Sequence, residues 1–164
     1  LTLSGPHGTA KLPRAMVTTF PSFIRAPFRV TIRAASDRSF RLGETGIKPG
    51  TVTHAPRLHC VGYRIEYQGH AVTYSGDSLY CDNLVRLCHE ADLAILDCSF
   101  PENRPGAGHL HAGLCGRVAQ EAGINQLVLS HFYPIAERYD VCAQAGNYFS
   151  GRIRMARDLL KLKA

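Results

Sequence analysis

Two short runs, Leu93–Cys98 and Gln126–Ser130, restrict the fold more than any other feature of this chain. A strand half-buried in a sheet alternates apolar and polar residues. These two are apolar almost throughout, the pattern of strands covered on both faces. Between them, Ala112–Ala122 has helical spacing and ends at Gly123, a residue suited to a left-handed helix cap. Asp82–Ala91 is helical through Leu84, Val85, Leu87 and Cys88; residues 136–149 read as helical up to Gly151, and Arg152–Met155 reads as a last strand. The second half therefore alternates strand and helix.

The first half is richer in strand. Leu1–Ser4 is read as a strand ended by Gly5-Pro6, and residues 8–20 as a short helix broken near Pro13 and Pro21. Phe28–Arg33 alternates with period two, as a half-buried strand does. Residues 35–50, with Gly43, Gly46, Pro49 and Gly50, are read as loop. Thr51-Val52-Thr53 leads as a strand into His54. Val61–Tyr67 and Ala71–Tyr74 flank Gln68-Gly69-His70, which predicts a β-hairpin.

The 164 residues suffice for one domain with a sizeable core, and 45% hydrophobic with 20% charged residues is ordinary for a globular protein. No apolar run approaches the roughly 20 residues that cross a bilayer, so no membrane partner is expected. The start, Leu1-Thr2-Leu3-Ser4-Gly5, lacks the pattern of a signal peptide. It reads as the inside of a strand, and 1–164 is taken as the C-terminal part of a longer single domain. Six cysteines form no C-x-x-C pair, and several lie in apolar runs, which suits free thiols in a reducing cytoplasm. The formal charge of +6 gathers in two places, Arg25 to Lys48 and Arg152 to Lys163. Basic surface favours anionic partners such as phosphates. No aromatic-basic alternation marks a nucleic-acid platform.

Polar side chains follow the apolar strands. His54 follows Thr51–Thr53, Asp77 follows Val72-Thr73-Tyr74 through Ser75-Gly76, Asp97 falls within Ile95–Cys98, and His131 follows Leu127–Leu129. Strand ends are where open α/β sheets build sites. Imidazole nitrogen and carboxylate oxygen are ligands for zinc, manganese or iron. Each residue alone is as well explained as a cap or a turn. Together, two histidines and an aspartate just past separate strands point to a metal site.

The order of motifs resembles the C-terminal half of the metallo-β-lactamase superfamily, on its ribonuclease Z-like branch. "LTLSGPHG" (1–8), "THAPRLHCVGYRIEY" (53–67), "VTYSGDS" (72–78), "ADLAILDCSFP" (91–101) and "GHLHAGLCGRVAQEAGINQLVLSHFYP" (108–134) each resemble a family motif. The resemblance implies an α/β (α+β) fold, the αββα sandwich of that superfamily, incomplete at its N-terminus. It implies two divalent metal ions, zinc first and manganese or iron as alternatives. Asp77 would bridge the metals, with His131 on one and His54 on the other. His109 would protonate the leaving group. Asp97 would orient a ligand from behind.

Three departures stand out. The superfamily's H-x-H-x-D-H is absent, so the chain holds about half a site. The interval from His54 to Gly62 is about two residues long, leaving His59 a rival; His54 is preferred because Ala55-Pro56 follows it. His111 stands where the motif has Thr. The expected function is a metal-dependent hydrolase, a phosphodiesterase, with a small phosphodiester or other anion as substrate. Alternatives are tRNA 3′-end processing, which makes RNA a partner, and a metal-free scaffold module. A homodimer is the habit of the superfamily.

Overall fold

A computed structural model describes residues 1–20, 27–34 and 38–163. The elements, in chain order, are β1 (Thr2–Gly5), α1 (Lys11–Thr19), β2 (Thr31–Ala34), β3 (Phe40–Leu42), β4 (Thr45–Val52), β5 (Cys60–Tyr67), β6 (His70–Tyr74), α2 (Asp82–Cys88), β7 (Leu93–Asp97), α3 (Ala112–Ala122), β8 (Gln126–Ser130), α4 (Val141–Gly146) and β9 (Arg152–Met155), with a 3₁₀ turn at Ala136–Arg138.

Strands β3 to β9 form one sheet in sequence order. The first four pair antiparallel and the last four parallel. The division follows the connections. Parallel neighbours need a crossover, and a helix stands between β6 and β7, β7 and β8, and β8 and β9. The β5–β6 hairpin closes on Gln68 and Gly69, both at positive φ (48° and 84°). That is the geometry of a two-residue primed turn, which glycine adopts at no steric cost.

Alternate residues of the parallel strands, Thr73, Ala94, Leu96, Leu127 and Leu129, are fully buried beneath α2, α3 and α4. Leu84, Leu110 and Val118 fill the layer between. Gly50 and Gly62 are register partners. A Cβ on either would come within 2.9 Å of Leu87 of α2. Their bareness lets the helix sit close on the sheet. On the opposite face, Ile65, Tyr67 and Tyr74 stay 39%, 45% and 48% exposed. There the Tyr63 hydroxyl donates to Ser4 O at 3.0 Å and ties in the small parallel sheet of β1 and β2.

Three expectations need correction. Residues 40–42 and 45–50 lie in strands, not loop, and β4 runs on into the Thr51-Val52 expected as strand. Gly46, Pro49 and Gly50 read as breakers, yet the glycines admit close neighbours. Pro49 lies past the end of β3, whose pairing stops at Ile47, so only β5 flanks it and no second ladder is interrupted. In Phe28–Arg33, only Thr31 onward is strand, and it is mostly exposed. Pro13 does not break α1: it occupies the first turn, where its missing N–H has no partner to lose. Pro21 and residues 35–37 lie outside the described residues. Among the described residues no helix is long and apolar enough to cross a membrane.

Candidate metal centre

The polar residues singled out from the sequence gather at the C-terminal ends of β4, β6, β7 and β8. The Ser75-Gly76-Asp77-Ser78 turn is built to bring Asp77 there. Gly76 has φ 62°, and a Cβ on it would lie 3.1 Å from Val61 O. The backbone therefore takes a path that L side chains rarely follow. The flanking serines fasten the turn to β7. Ser75 Oγ accepts from Asp97 N at 2.9 Å, and Ser78 N donates to Asp97 Oδ2 at 3.1 Å.

Asp97 is the anchor of the site. Its side chain has no exposed surface. Oδ1 accepts from Ser99 N (3.1 Å) and Ser99 Oγ (2.7 Å). Oδ2 accepts from Ser78 N and lies 2.7 Å from His109 Nδ1. Four donors meet the lone pairs that a carboxylate offers. The bond fixes the tautomer of His109: Nδ1 carries the hydrogen and Nε2 faces the opening. Gly108, at φ 83°, turns the chain into this ring.

The imidazoles form a row. The His109 ring centroid is 4.8 Å from that of His54 and 5.3 Å from that of His131. His54 Nδ1 is 2.7 Å from Gly108 O, so its Nε2 is left free. His131 has φ 61°, unusual for a residue with a side chain. Ser99 Oγ lies 3.1 Å from His131 O, the alternative acceptor for its single hydrogen. His131 Nε2 and Asp77 Oδ1 are 3.5 Å apart, with 45% and 46% of their side chains exposed. That is longer than a good hydrogen bond. It matches two donors of one cation: bonds of 2.0–2.1 Å in a tetrahedron put ligand atoms about 3.4 Å apart.

The donor set thus has the right chemistry for a divalent ion, with imidazole and carboxylate side by side and His54 oriented through its other nitrogen. Its count is short. Among the described residues, no three His, Cys, Asp or Glu side chains converge as a group able to hold a metal ion. Asp77 and His131 are brought together, and His54 joins the row through His109. The rival His59 is exposed on the loop before β5, outside the row.

Sequence reasoning missed three participants. Ser99 follows the buried aspartate by two residues and donates to it through both its N–H and its hydroxyl. Tyr133 follows His131 by two; its hydroxyl is 3.4 Å from His109 Nε2, and its ring centroid is 5.0 Å from that of Phe100. The signal was present in "SHFYP", but an aromatic after a buried strand reads first as core. His111 caps α3, its ring nitrogen accepting from Leu114 N at 3.4 Å. Burial holds this imidazole below the usual histidine range; Glu102 opposes the shift and Arg117 adds to it.

Helices on one face of a mixed sheet, with histidines and aspartates gathered at its strand ends, define a protein of the metallo-β-lactamase fold. The chain belongs to the β-lactamase superfamily: the β-lactamase superfamily domain matches residues 6–132. It is 32% identical over 114 residues to the probable metallo-hydrolase YhfI of Bacillus subtilis, covering 66% of this chain and 47% of that protein. It is 33% identical over 113 residues to a ribonuclease Z of Thermobifida fusca, covering 65% of this chain and 36% of that one. The chain thus spans less than half the length of these curated relatives. The crystal structure of YhfI superposes with a TM-score of 0.79 at 25% identity, over 96% of this chain and 62% of YhfI. Human tRNase Z, short form, shares the fold, with a TM-score of 0.68 at 20% identity over 97% of this chain and 66% of that one.

Proposed function

We propose that the chain is the C-terminal part of a metal-dependent hydrolase that cleaves phosphodiesters. The observation that carries this reading is the adjacency of two pairs: Asp77 with His131, and Asp97 with His109. The first pair has the donors of a cation site, and the second has the geometry of a general acid held by a buried carboxylate. Superfamily relatives named as a metallo-hydrolase and a ribonuclease Z support it.

Asp77 and His131 would hold one divalent ion, zinc before manganese or iron, and His54 Nε2 would serve a second. Such ions supply Lewis acidity and lower the pKa of water. The chain's own residues do the rest. Ser75, Gly76 and Ser78 hold the Asp77 carboxylate at the strand end. Asp97 keeps the His109 ring in one tautomer and stabilises it when charged. His109 Nε2 then delivers a proton to the leaving oxygen as its bond to phosphorus breaks. RNA and small diesters both offer this linkage.

The short donor count favours a second reading, a scaffold module without metals. Metal analysis of the full-length protein, followed by hydrolysis of bis(p-nitrophenyl) phosphate, separates the two. The hydrolase reading expects bound metal, and at least a hundredfold loss of turnover in Asp77→Ala. Equal turnover by wild type and variant overturns the assigned site, and a metal-free, inactive wild type establishes the scaffold.

A further inference from the structure

Beside the row of imidazoles stands a ring that the reaction above does not use. Tyr133 enters from the segment after β8, held by its N–H to Ser99 O at 3.2 Å. Its ring centroid lies 5.0 Å from that of Phe100, 5.4 Å from His109 and 5.9 Å from His131. Phe100 is itself wedged over Gly106, where a Cβ would fall 2.2 Å from Phe100 Cζ. Despite these neighbours, Tyr133 keeps 40% of its surface exposed. It is a wall braced from behind, with surface open to solvent at the mouth of the site. A ring so braced loses little freedom when a ligand packs on it.

The hydroxyl narrows what that ligand is. It lies 3.4 Å from His109 Nε2, the atom assigned to deliver the proton. An oxygen that receives a proton from Nε2 therefore comes within reach of the phenol. The group bonded to that oxygen lies along the ring.

We propose that Tyr133 is a specificity-determining residue that selects phosphodiesters with a planar aromatic leaving group, such as an aryl alcohol or a base-bearing nucleoside. The inference rests on the hydrolase reading. Water adds to phosphorus and loses a proton to solvent, the bond from phosphorus to the leaving oxygen breaks, and the proton from His109 Nε2 ends on that oxygen. Tyr133 O–H donates a hydrogen bond to the departing oxygen and keeps its own proton. Its ring stacks on the leaving group, an interaction tolerant of base identity because every base has a π face.

The test uses the metal-loaded full-length protein with Tyr133→Phe and Tyr133→Leu. KM and kcat are measured for bis(p-nitrophenyl) phosphate, and the inhibition constant for bis(2,2,2-trifluoroethyl) phosphate, a diester without a ring. Both variants lower kcat several-fold through loss of the hydroxyl. Only Tyr133→Leu raises KM, by about tenfold, the scale of one lost stack. The inhibition constant and the metal content stay within about twofold of wild type in both variants. An unchanged KM in Tyr133→Leu, or an equal weakening of the ringless diester, overturns the proposal. If the wild type hydrolyses no diester, it is the hydrolase reading that fails. The ring is then read by saturation-transfer NMR with p-nitrophenyl phosphate. Transfer to the aryl protons that disappears in Tyr133→Leu supports the stacking face; absent or unchanged transfer overturns it.

Discussion

His109 Nδ1 lies 2.7 Å from Oδ2 of Asp97, a carboxylate with no exposed surface and three further hydrogen bonds from Ser78 and Ser99. The imidazole is thus oriented by a group that cannot itself turn. Asn in its place would present an amide –NH₂ to donors that need an acceptor. Asp97→Asn is expected to lower turnover about 100-fold, as loss of such orienting partners does. It should also cost about 1–3 kcal/mol of stability through unmet buried donors. Steady-state kinetics and urea denaturation check both, and wild-type turnover would remove His109 from the proton path.

The His111 cap makes a prediction with a sign. Its folded value is depressed from 6.5, first by burial, with Arg117 adding and Glu102 opposing. As pH falls through 6.5, the unfolded chain takes up this proton before the folded one. The contribution to stability is therefore complete above 6.5 and declines below it, until the folded value is reached. Protonation would also turn the accepting nitrogen into a donor and abolish the cap. His111→Thr should keep a cap without this decline, so wild type loses ground to it between pH 7.5 and 5. His111→Ala should cost about 1 kcal/mol at pH 7.5. Parallel stability curves for wild type and the Thr variant would show that the cap does not titrate.

Thiol chemistry reports the core. Cys88, Cys98 and Cys115 are buried, while Cys60, Cys81 and Cys142 are partly exposed. Burial pushes the Cys88 thiol up to about 12 and raises Cys115 well above its ordinary value. Burial, with the Asp140 charge behind it, also raises Cys142. A disulfide reagent at pH 8 should modify Cys60 and Cys81 first and Cys142 more slowly, and should reach the other three only in denaturant. Peptide mass mapping over time reads the order, and early modification of Cys88 would contradict the packing of α2.

The parallel half of the sheet was legible in the sequence because its strands are covered on both faces. Nothing polar interrupts Leu93–Leu96 or Leu127–Leu129, so their nature shows without neighbours. Only the end of β4, Thr51-Val52, was legible; the stretch before it was not, because Gly46, Pro49 and Gly50 make sense only once Leu87 and the end of β3 are in place. The same contrast runs through the site. Asp77 and His131 announce themselves by following apolar runs. The partnership of Asp97 with His109 spans a loop that no spacing rule predicts, and Tyr133 resembles any aromatic beside a core. The Gly-Asp of "SGDS" shows the limit best: the turn was visible, but not that both serines would bind Asp97.

The paired ladder of β6 through β9 has a consequence for motion. Asp97 and His131 hang from its most deeply covered members, β7 and β8, and Asp77 from the strand beside them; regions with such protected backbones open last. Amide exchange should be slowest in β7 and β8 and fastest in the β1–β2 sheet. Whatever flexing the molecule needs to admit and discharge its cargo falls to the loops around 55–59 and 101–107, while Asp77, Asp97 and His131 stay still.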